Sequence, residues 1–163
     1  MENFDVLAIS KFCIYPWVSP GFEGYSKNVN CFTFLETQAL KFVMHTTCAL
    51  LLQEDEPCMV QDLLDRLGKI APRSARNVPP TSLLYYRHDD HRVRTVNLEP
   101  KGRERINGHA HVKASFLSPF LIFWVVNGVI QLGEFQQILF FDFDDLGERR
   151  ERQVSVTFIS DNS

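Results

Sequence analysis

The sequence predicts an α+β domain in which an N-terminal helix pair packs into a curved antiparallel sheet. Three observations carry this. Apolar residues recur at three- and four-residue spacing between Thr33 and Ile70, turn residues then crowd the middle of the chain, and short alternating apolar runs fill the C-terminal half. Segregated helices and strands exclude an alternating parallel α/β sheet.

In chain order, residues 1–30 form an irregular arm. Pro16, Pro20, Gly21 and Gly24 punctuate it, with Trp17 and Phe22 as aromatic anchors and one short strand at 6–14. Residues 31–163 form a single domain. Thr33 and Glu36 fit a capping box, and Leu35, Ala39, Phe42, Val43, Thr47, Leu50 and Leu51 make the stripe of a first helix. Pro57 suits the first position of a second helix, with Val60, Leu63, Leu64, Leu67 and Ile70 as its apolar face and Pro72 just beyond its end. A loop follows from Arg73 to Pro80. Strands are expected at 82–87, 93–98, 106–116, 121–126, 129–132, 137–143 and 153–159, with Pro100-Lys101-Gly102 as a turn and Asn127-Gly128 as a hairpin tip.

The chain has 163 residues and a formal net charge of −3, so no charge excess points to nucleic acid or an anionic membrane. Its longest apolar run, Phe120–Val126, is far shorter than the roughly 20 residues a membrane span needs. The acidic start, Met1-Glu2-Asn3-Phe4-Asp5, is not that of a secretory signal, so a cytoplasmic location with reduced thiols is expected. Cys13, Cys31, Cys48 and Cys58 form no C-x-x-C pair, and no metal site or cofactor is expected from them. Phe is in excess, 14 residues against 4 Tyr and 2 Trp, and Phe needs no hydrogen-bond partner. Eight of the 14 lie between Phe116 and Phe158, where they line either a cavity or an interface between copies of the chain.

Titratable groups are densest in Tyr85-Tyr86-Arg87-His88-Asp89-Asp90-His91-Arg92, where a carboxylate beside an imidazole has the elements of a general base. The bland reading is a solvated turn. His109 and His111 would share one face of a strand but lack a third ligand for a metal. Asp142 and Asp144 alternate with Phe141 and Phe143, as on the solvent side of a strand. His45 lies alone within the first expected helix.

Three stretches together resemble the scytalone dehydratase family of the NTF2-like superfamily. They are Thr47-Cys48 with Asp65-Arg66-Leu67-Gly68-Lys69-Ile70-Ala71-Pro72, then His91-Arg92 with Gly108-His109-Ala110-His111, then Gly133-Glu134-Phe135 with Asp142-Phe143-Asp144 and Gly147-Glu148-Arg149. The resemblance implies a cone-shaped sheet closed by helices around an apolar pocket. It also implies cofactor-free dehydration or isomerisation of a polyketide- or terpenoid-like substrate. In that reading His91 is the general base, Tyr86 a hydroxyl donor, Asp89 or Asp90 orients His91, and His88 loosely replaces a second family His. Ala110, Val112, Ala114, Phe123 and Phe141 line the pocket. Val112 and Ala114 stand where the family has Ser and Asn, which makes the pocket greasier than the family's. Two alternatives stand beside this enzyme: a non-catalytic binding or dimerisation module of the same fold, and an unrelated α+β interaction domain.

Overall fold

The computed structural model describes residues 13–16, 37–98, 105–127, 129–144, 152 and 154–159. The arm with Trp17 and Phe22, the Thr33–Glu36 capping box, the turn at 100–102, Gly128 and Gly147-Glu148-Arg149 lie outside the described residues, as does most of the strand expected at 6–14. The described part is α+β. Its strands are β1 (Cys13–Pro16), β2 (Thr37–Val43), β3 (Cys48–Glu54), β4 (Phe120–Val126), β5 (Val129–Ile130), β6 (Gln136–Asp142) and β7 (Val154–Ile159). Its helices are α1 (Pro57–Ile70) and the short α2 (Gly108–Ala114), with a 3-10 turn at Arg87–Asp89.

The strands form two sheets. One is three-stranded in the order β1-β6-β3, with β1 parallel to β6 and β3 antiparallel to it, and the other is four-stranded in the order β5-β4-β2-β7. Side chains alternate across a strand, so the three-stranded sheet offers two faces, and both are apolar. Ala49, Leu139 and Phe141 point to one cluster with Val60 and Leu67 of α1 and Ala110 and Ala114 of α2. Cys48, Leu50, Ile138 and Phe140 point to the other, against Val43 of β2 and Phe123 of β4. The result is three layers: helices, a sheet buried on both faces, and a second sheet. Leu50 of β3 reaches across to the second sheet, its N–H donating at 2.8 Å to Ser118 O just before β4.

Helix α1 is the element the sequence marks best. Glu56 caps it, accepting from Cys58 N at 2.9 Å and Met59 N at 2.7 Å, while Pro57 opens it without losing a needed donor. The hairpin β4–β5 also forms as expected, with Asn127 at φ 51° in its turn.

Several expectations are corrected. The first helix of the pair does not form: β2 and β3 occupy its place, joined by a turn at Met44–Thr47. Leu50 and Leu51 lie on opposite faces of a strand buried on both sides, and such an apolar run mimics helical spacing. The strand expected at 106–116 is the helix α2, whose residues Ala110, Lys113 and Ala114 turn one buried stripe inward. The segments 82–87 and 93–98 are turns rather than strands. Among the described residues the expected N-terminal helix pair, and the NTF2-like cone it was to close, are not seen.

Candidate functional site

The polar centre of the molecule is made by three chain segments that meet around α2. The first is the β2–β3 turn. There Thr47, fully buried, donates its backbone N–H to His45 Nδ1 at 3.3 Å and places its Oγ1 2.9 Å from the same nitrogen. The second is the 3-10 turn. Asp89 Oδ1 accepts from Gly108 N at 2.8 Å and Asn107 N at 3.1 Å, and lies 3.2 Å from His88 Nδ1. Asp89 therefore satisfies the first N–H groups of α2 from 18 and 19 residues away. The third segment is the end of β6, where Asp144 Oδ2 accepts from Asn107 Nδ2 at 3.1 Å and Asp142 Oδ2 accepts from Arg152 Nε at 2.6 Å.

His109 and His111 part company because α2 is a helix, which turns side chains two residues apart to nearly opposite sides. His111 sets its ring against that of His88, with centroids 4.4 Å apart and planes tilted by 43°, and the charges of His88, His45 and Arg94 all act on it. Burial, followed by those neighbours, lowers its pKa. Burial and then Arg152 lower that of His45, partly offset by Asp142 and Asp144. His88 and His111 thus form one half-buried imidazole pair, which Asn107, bonded to Asp89 and to Asp144, links to the β2–β3 turn carrying the half-buried His45. His109 instead faces the interior beside Tyr86. Burial, then Lys113 and Arg73, hold its pKa down to about 4. Burial likewise brings the fully buried Lys113 to about 8. Burial raises Asp144 against the opposing hydrogen bond from Asn107.

Of the residues singled out in the sequence, His88 and Asp89 lie in this cluster. His91 is exposed and makes no hydrogen bond among the described residues. Asp90 does not orient it: Asp90 Oδ1 accepts from Arg92 Nε at 2.8 Å and Oδ2 from Tyr85 Oη at 2.9 Å. Tyr86 spends its hydroxyl on Pro72 O at 2.8 Å. Ala110, Ala114 and Phe141 belong to the helix-side core, Phe123 to the core between the sheets, and Val112 is exposed, so the five are divided among three environments. The sequence reading missed His45, His111 and Arg152. Their signal is position rather than pattern: a turn carries His45, helix α2 carries His111, and Arg152 precedes β7. Among the described residues, no group of three or more His, Cys, Asp or Glu side chains is placed to hold a metal ion.

Residues 31–161 match the family described as UPF0047 protein YjbQ-like. The chain belongs to the UPF0047 family. A UPF0047 protein of Archaeoglobus fulgidus is 31% identical over 111 residues, spanning 68% of this chain and 71% of that protein. Among solved structures, a conserved hypothetical protein of Thermus thermophilus is 31% identical with a TM-score of 0.53, covering 75% of this chain and 77% of the other. A YbjQ-like protein of unknown function from Sulfolobus solfataricus is 25% identical with a TM-score of 0.56, covering 77% and 73%. UPF0047 membership overturns the resemblance to scytalone dehydratases, and with it the dehydratase or isomerase of secondary metabolism and its polyketide substrate. The structure supplies the reason. Gly108-His109-Ala110-His111 opens a helix rather than lying on a sheet strand, and Thr47-Cys48 opens a strand rather than a helix pair. Among the described residues of this UPF0047 chain, no helix is long and apolar enough to cross a membrane.

Proposed function

We propose that the His45–His88–His111 cluster, together with Arg152, binds a small polar molecule through an anionic oxygen such as a carboxylate or phosphate. The observation that carries this is Arg152 Nη2, a buried guanidinium nitrogen with no hydrogen-bond partner among the described residues, although Nε of the same group is held by Asp142. An unpaired buried donor is costly, and an oxyanion is the complementary group for a guanidinium fork. Asp142, which holds Arg152 Nε, pairs with Cys48, and Phe143 N donates to Thr47 O, so the guanidinium lies at the end of the β2–β3 turn that carries His45. Burial and positive neighbours hold His45 and His111 toward the neutral form. An anion reverses that balance, so binding tightens as pH falls from about 7.5 toward the ordinary imidazole range.

The test is titration of the full chain with inorganic phosphate and with acetate, followed on the imidazole NMR signals. Proton uptake at His45 on binding is expected, and a loss of about tenfold or more in affinity in Arg152→Met, the scale of one charged hydrogen bond. Arg152→Lys keeps a cation for Asp142 but lacks the fork, and separates loss of the donor from misfolding. Unmoved ring signals, or undiminished binding in both variants, would overturn the reading.

A further inference from the structure

We infer that His45 and His88 are held in opposite tautomers, so that the ligand of this site carries a hydrogen-bond donor beside its anionic oxygen, as a hydroxy acid or a protonated phosphate does. The inference rests on the oxyanion reading above and narrows its ligand class. It starts from what each partner is able to do. A backbone N–H only donates, so the Thr47 N–H at 3.3 Å requires a lone pair on His45 Nδ1. The neutral His45 ring then carries its proton on Nε2 and presents a donor. A carboxylate only accepts, so Asp89 Oδ1 at 3.2 Å requires the proton on His88 Nδ1. The neutral His88 ring then presents a lone pair on Nε2.

One contact competes at His88. Arg94 Nη1 lies 3.5 Å from Nδ1, and a guanidinium would favour the other tautomer. That nitrogen, however, also donates to His88 O at 3.3 Å, and Asp89 is the nearer partner of the ring. Asp89 Oδ1 is fixed as well, pinned by Gly108 N and Asn107 N. The carboxylate therefore decides the tautomer. Asn107 ties the two turns together: its N–H donates to Asp89 and its Nδ2 to Asp144, beside Phe143, whose N–H donates to Thr47 O. An acceptor oxygen pairs with His45 Nε2–H and Arg152, while His88 Nε2 calls for an O–H or N–H. A fully deprotonated, acceptor-only anion leaves His88 unanswered.

The experiment has two readouts on the full, unmodified chain. Long-range nitrogen–proton correlation spectra of the histidine rings at pH 7.5 are expected to show His45 protonated on Nε2 and His88 on Nδ1. Titrations with two matched pairs then compare phosphate with sulfate and glycolate with acetate. The donor-bearing member of each pair is expected to bind more tightly by up to about tenfold, the scale of one hydrogen bond. The same tautomer at both rings overturns the inference whatever binds. Equal or tighter binding of sulfate and acetate overturns it too. Opposed tautomers with no binding of any of the four anions would instead remove the oxyanion reading, and this inference with it.

Discussion

Gly108 lies against Tyr86 so closely that a Cβ at position 108 would sit 2.6 Å from Tyr86 Cβ and 2.9 Å from Cγ, with Asp89 Oδ1 at 3.2 Å. These neighbours are not free to yield. The Tyr86 hydroxyl is held by Pro72 O and Asp89 Oδ1 by the start of α2. In an open helix, Gly→Ala stabilises by up to about 1 kcal/mol, but here the clash decides the sign. Gly108→Ala is expected to destabilise by about 1–3 kcal/mol, the cost of overpacking. Urea denaturation would check this, and a midpoint equal to or above that of the natural chain would refute it.

Asp89→Ala removes the acceptor shared by two backbone N–H groups and His88. The cost expected for leaving such donors without a partner is about 1–3 kcal/mol. Beyond stability, the His88 and His111 ring signals should both move, because the contacting ring pair loses its anchor. Unchanged ring signals in a folded Asp89→Ala protein would argue against that anchoring.

Stability should fall as the solution is acidified. His109 has an ordinary value of 6.5 and is held at about 4 in the fold, so below 6.5 the unfolded chain binds its proton first. The His109 contribution is fully present above about 6.5 and is lost as pH falls through that range to about 4. Its size is on the order of 3 kcal/mol for this 4% exposed side chain. Lys113, at about 8 against an ordinary 10.5, acts in a second window: stability rises from about pH 8 to 10.5 as the unfolded chain gives up its proton. Denaturation midpoints measured across pH should show both slopes. His109→Leu should flatten the acid one and Lys113→Met the alkaline one.

Cys48 and Cys58 should differ sharply toward a thiol reagent. Burial, then the Asp142 charge, pushes the Cys48 thiol up to about 12, whereas Cys58 is exposed near the start of α1. The thiolate is the reactive form, so Cys58 should label in the native protein and Cys48 only after unfolding. Peptide-level mass spectrometry after a short pulse of iodoacetamide would show labelled Cys48 if this were wrong.

The sequence carried local signals well and distant ones poorly. Helix α1 could be read because its cap, its proline and its apolar face all lie within fifteen residues of one another. The β4–β5 hairpin could be read because Asn127 tolerates positive φ. Strand β3 could not, since a strand buried on both faces has no alternation to display. Helix α2 was hidden for another reason: its first N–H groups are satisfied by Asp89, not by a capping residue beside it. His88 and Asp89 stood out as neighbours in the chain. His111 joins them once Asp89 takes up the start of α2, and His45 and Arg152 only once the sheet brings positions 48 and 142 side by side.

That pairing also bears on how quickly the molecule can be assembled. Register between β3 and β6 joins Cys48 to Asp142, across most of the chain, and β1 reaches further still, with Cys13 beside Leu139. Closing loops of that length spends chain entropy before any contact rewards it, which slows folding. The β4–β5 hairpin and α1 can organise early, while the central sheet must wait for β6 to arrive. Asp142 and Asp144 arrive with β6, so the polar centre around Asn107, and the anion site proposed there, is completed only when that long loop closes.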